Sequence, residues 1–92
     1  MSTGTAEQLA VPTIHLNGTS ADRLLEAIEA AYARCGEALD ALCQCAPNGR
    51  DYYPQGPEAM DLATRQHWRR LEHVKAVRDE LERLAIAIDE AR

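Results

Sequence analysis

The stretch "DRLLEAIEAAYARCGEALDALCQCA", residues 22–46, decides the fold. Its apolar positions Leu25, Ile28, Tyr32, Cys35, Leu39, Leu42 and Ala46 follow one another in alternating steps of three and four residues. That spacing lines side chains along one stripe of an α-helix. Leu24, Ala31, Ala38 and Cys45 make a second row at intervals of seven, widening the stripe into a face able to meet more than one neighbouring helix. The spacing predicts a helix over about residues 20–45, with Thr19 or Ser20 as N-cap and Asp22 in the first turn, where the helix dipole favours a negative charge. Gly36 inside it costs about 1 kcal/mol against alanine.

A second helix is expected over about residues 57–91. Pro57 suits the first helical position, and Glu58 and Asp61 fall in the opening turn. Its stripe reads Met60, Ala63, His67, Leu71, Val74, Val77, Leu81, Leu84 and Ile88. Folding the two stripes together in opposite directions pairs Leu42 with Ala63, Leu39 with His67, Cys35 with Leu71, Tyr32 with Val74 and Leu25 with Leu81. The second helix then overhangs by about two turns at its C-terminal end. Residues 1–10 are small and polar and read as a disordered tail; residues 11–92 read as one domain. "TIHL", residues 13–16, reads as a short extended segment whose Ile14 and Leu16 cover Leu84 and Ile88. The fold class is therefore all-α, an antiparallel two-helix hairpin. Each helix of such a hairpin is covered on only half of its apolar face, so assembly into an oligomeric bundle, a dimer or higher, is expected.

The connection, residues 46–56, reads "APNGRDYYPQG" and is longer than a helix reversal needs. Asn48-Gly49 is a turn dipeptide, and Pro54 and Pro57 restrict the chain on either side, so the segment is expected to be ordered. Two readings explain that order. In one, Tyr52 and Tyr53 plug the end of the bundle while Arg50 and Asp51 cap helix ends. In the other, Tyr52 or Tyr53 stacks on a ring and Arg50 forks onto a phosphate or carboxylate.

Composition narrows the function. The net charge of −5 argues against DNA binding, which needs clustered positive charge. From Arg65 to Arg78, however, five Lys or Arg residues face one acid, Glu72, a patch of the size of a small anion. Arg65 and Arg69 join Arg50, Tyr52 and Tyr53 as candidate ligand-binding residues. Ion pairing of Glu37 with Arg69 or Arg70, and of Glu29 with Lys75 or Arg78, would consume part of that patch. No run is long and apolar enough to span a membrane and no secretory signal opens the chain, so a cytoplasmic protein is expected.

Three cysteines, an odd number, make a disulfide framework improbable. Cys43-x-Cys45 with His67 or His73 falls short of the ligand pattern of a structural zinc site, so no metal and no cofactor is expected. There is no phosphate-cradling Gly-rich loop, nucleophile elbow or His-Glu-x-x-His motif, and a Cys35 thiol in an apolar seam is inert. His67 on the stripe reads as a core or boundary histidine, and Trp68 as a cover for the base of the connection or an inter-subunit contact. The chain is not expected to be an enzyme.

"TIHLNGTS" and "APNGRDYYPQG", each followed by an amphipathic helix, resemble a group of uncharacterised small helical-hairpin proteins encoded by phages and prophages; the likeness covers residues 13–92. In size and hairpin plan the chain is also similar to phage "sponges" that sequester nucleotide immune signals. The resemblance implies a counter-defence protein in the host cytoplasm that binds an anionic nucleotide without turning it over. The alternative is an adaptor or inhibitor docking through its helical surface on a host or phage protein.

Overall fold

The computed structural model describes residues 8–92, and these contain helices and no strand. The reading of a disordered tail lies, for residues 1–7, outside the described residues. Helix α1 runs Ala21–Gln44, α2 Gly49–Tyr52 and α3 Pro57–Ala91, with a 3-10 turn at Tyr53–Gln55 between the last two. Ser20 is the N-cap of α1, its Oγ accepting from the Arg23 N–H at 3.2 Å. At the other end the Cys45 N–H donates to the Leu42 carbonyl and tightens the last turn. Helix α3 starts from Gly56, whose φ of 105° and ψ of 161° belong to a region open essentially to glycine alone. Pro57 follows with its φ already suited to the helix.

Helices α1 and α3 lie along one another in opposite directions. The N-terminal turn of α1 meets the C-terminal turn of α3, where the Arg92 guanidinium donates to Asp22 and, at 3.1 Å, to Asp89. Ala21, Leu25 and Ile88 form the buried cluster there, with Ile14, Leu24, Ile28, Leu84 and Ala85 packed against it. Ile88 is 0% exposed, and burying its side chain contributes about 1.5–3 kcal/mol.

This register corrects the expected one. Leu25 packs beside Ile88 rather than Leu81, a heptad further on, and Tyr32 meets Arg78 rather than Val74. The shift is about 6–10 Å along the axis. Its cause is the connection, which is not a simple loop. Residues 49–55 coil into α2 and the 3-10 turn and pack against α3, so the first turns of α3 are spent on the connection. The overhang therefore sits at the connection end, and the C-terminal end of α3 is level with the start of α1.

Two further placements differ from expectation. Leu16 is 97% exposed and covers nothing; Ile14 alone reaches the cluster. Leu16 sits in a turn closed by His15 and Gly18, the Gly18 N–H donating to the His15 carbonyl at 3.1 Å. Val77 is exposed, and the α3 stripe passes instead through half-buried Arg78. A stripe moving 74, 78, 81 keeps to the side facing α1; one moving 74, 77, 81 leans away from it.

Outside the end cluster the burial is thin. Among the described residues only Ala21, Leu25, Ala63, His67 and Ile88 are buried. Ala31 and Ala38 of the second row on α1, and Cys45 just beyond its end, are exposed.

Candidate functional site

Asn48 organises the connection. Its Oδ1 accepts from the Arg50 N–H at 2.9 Å and from Arg50 Nε at 3.4 Å, and its carbonyl accepts from the Asp51 N–H at 3.0 Å. The cap of α2 is thus Asn48, not Arg50 or Asp51, because an Asn side chain at this position reaches back to the first free amides. Tyr52 is half-buried, whereas Tyr53 is 72% exposed and plugs nothing.

Arg65 and Arg69 lie one turn apart on α3, both exposed. The structure places none of Arg50, Tyr52, Tyr53, Arg65 and Arg69 on the well-formed clefts found among the described residues. What it does is leave the basic band free of intramolecular neutralisation. Among the described residues Arg65, Arg69, Arg70, Lys75 and Arg78 have no carboxylate within 4.0 Å. Glu37 pairs at 2.9 Å with Arg34 on its own helix, not with Arg69 or Arg70. The register explains this, since a shift of several ångströms along the axis carries Glu37 and Glu29 past the side chains expected to meet them.

A cleft with apolar walls, bordered by a residue that carries an unpartnered polar atom, lies where α1 ends. Cys43 of α1 and Met60, Thr64, His67, Trp68 and Leu71 of α3 border a space of about 400 Å³, a size ordinary for small-molecule sites. His67 is 5% exposed, and its Nε2 has no hydrogen-bond partner. Leaving such an atom unpaired costs about 1–3 kcal/mol. Trp68, 62% exposed, stands on the rim. The sequence shows His67 on the stripe and Trp68 beside it. Their convergence with Cys43 and Met60 depends on how the connection folds, so no local pattern displays it.

Among the described residues no three His, Cys, Asp or Glu side chains are grouped to hold a metal ion. The Cys45 thiol donates to the Leu42 carbonyl at 3.4 Å and takes no part in the cleft. No described helix is long and apolar enough to cross a membrane. No protein-family model, curated protein or solved structure matches the chain.

Proposed function

We propose that the chain is a non-catalytic binding protein, a helical hairpin assembled into a homo-oligomer, that holds and sequesters a small anionic ligand of the nucleotide class. The observation that carries this reading is the band Arg65, Arg69, Arg70 and Lys75, without a carboxylate partner among the described residues, in a chain with five more acidic than basic groups. An acidic protein has carboxylates to spare for neutralising its own arginines. A band left free attracts anions through charge-assisted hydrogen bonds. The counter-defence role and the host cytoplasm come from the resemblance to small phage proteins.

Self-association is supported by surface area. The chain exposes 7248 Å², against about 5300 Å² for a compact monomer of this mass. Its radius of gyration is 18.5 Å, where a globular chain of this length has about 12 Å. The excess exceeds the roughly 800 Å² that each partner buries in a standard interface. The exposed row Ala31, Ala38 and Cys45 and exposed Val77 offer surface for a second copy.

The test is calorimetry with mono-, di- and cyclic nucleotides at low and high salt, with light scattering for mass. Expected are saturable binding that weakens with salt, recovery of the nucleotide unaltered after denaturation, and weaker binding by Arg65→Ala and Arg69→Ala. A wild type that binds none of these nucleotides overturns the reading. A second reading, a protein-docking adaptor, rests on exposed Leu62, Trp68, Val77 and Ile86 along α3. It gains from a stoichiometric protein partner in pull-down that Ile86→Asp abolishes.

A further inference from the structure

We infer that the cleft beside His67 is a base pocket, the place where the ring of a nucleotide is held while its phosphate lies on the basic band. The inference rests on the proposed nucleotide binding and moves the ring from Tyr52 and Tyr53 to His67 and Trp68, which line this cleft.

Three observations point there. First, His67 borders the cleft at 5% exposure, and its buried Nε2 has no hydrogen-bond partner among the described residues. An imidazole nitrogen in that setting is completed by an incoming polar edge. Second, beside Ala46, Pro47 and Thr64, the other residues that line the cleft include Met60, Cys43, Leu71 and Trp68. These are soft, polarisable surfaces that suit a flat ring. A nucleobase joins a flat apolar face to a hydrogen-bonding edge, and the cleft offers a partner for each. Third, Arg65 is three residues before Trp68 and Lys75 seven after it, so they stand about one turn and two turns away along α3. Neither has a carboxylate partner among the described residues. A base seated against Trp68 therefore carries its phosphate toward free cations on the same helix.

Trp68 is the only tryptophan, so its emission reports on this cleft and nowhere else. The experiment is titration of the full chain with adenosine, guanosine, cytidine and uridine monophosphates and with ribose 5-phosphate. Fluorescence is followed alongside calorimetry. Expected are saturable Trp68 quenching by at least one nucleotide, none by ribose 5-phosphate, and about a tenfold loss of affinity in His67→Phe at unchanged helicity, partly regained in His67→Gln. Nucleotide binding by calorimetry with Trp68 emission unchanged, and with His67→Phe as tight as wild type, overturns the base pocket while leaving the proposed function standing. Equal affinity for ribose 5-phosphate does the same. No nucleotide binding at all overturns both. Should His67→Phe unfold, the shift of the Trp68 indole N–H resonance on adding nucleotide to the wild type decides in its place, a moved resonance supporting the pocket and a fixed one overturning it.

Discussion

The guanidinium of Arg78 lies over the ring of Tyr32, 5.9 Å from its centroid, and bridges α1 and α3 at mid-length. Arg78 occupies a seam position between Val74 and Leu81, where its long apolar stem packs and its head meets an aromatic face. Its Nε is buried without a hydrogen-bond partner, so the ring is the contact that compensates the charge there. A double-mutant cycle with Tyr32→Leu and Arg78→Met is expected to give a coupling of about 0.5–1 kcal/mol in urea unfolding. Zero coupling would mean that the two side chains merely lie near each other.

Ile88 and Val77 test where the core is. Ile88→Ala removes a fully buried side chain from the end cluster and should cost about 2–4 kcal/mol, a large share of the stability of so small a chain. Val77→Ala should stay within about 0.5 kcal/mol for an isolated chain, because Val77 is half exposed at 51%. If Val77→Glu lowers the mass seen by light scattering while helicity holds, the Val77 side of α3 belongs to an interface.

Two glycines should respond with opposite signs. A Cβ at Gly36 meets nothing within 4 Å, so Gly36→Ala is expected to stabilise by about 1 kcal/mol through helix propensity alone. Gly56 sits at φ 105°, and Gly56→Ala should destabilise by about 1–3 kcal/mol and loosen the start of α3. Thermal melts of the two variants beside wild type check both signs.

Tyr53 separates a plug from a surface residue. At 72% exposure its removal in Tyr53→Ala should leave the unfolding midpoint within about 0.5 kcal/mol of wild type. A loss of several times that would restore the plug reading of the connection.

The clasp between Arg92 and Asp22 sets a pH expectation. The hydrogen bond that Arg92 donates to Asp22, then the Asp22 charge, then Asp89 hold the Arg92 pKa above its ordinary value. A base whose folded pKa is raised contributes stability that is complete below its unfolded pKa and lost only as pH climbs through the folded one. The stability difference between wild type and Arg92→Ala should therefore stay constant between about pH 6 and pH 9, the arginine being charged throughout. Melts across that range that converge toward high pH would contradict this.

The sequence by itself determined the two long helices and their ends, but not the short helix α2 and the 3-10 turn between them. Apolar steps of three and four, Ser20 before α1 and Pro57 at the head of α3 act through neighbours within one turn, so local order displays them. The free basic residues were visible as a charge cluster, but their freedom was not. Tertiary structure alone decided the register, because two stripes that each repeat every seven residues fit together almost as well after a slip of four or seven. Coiling of residues 49–55 against α3 selected one of those fits. The same slip placed Arg78 rather than Val77 on the seam, carried Glu37 away from Arg69 and Arg70, and brought Cys43 beside Met60, His67 and Trp68. Periodicity ranks faces within a helix, whereas the axial offset between helices depends on the volume of the connection, a sum over many contacts that no local pattern encodes.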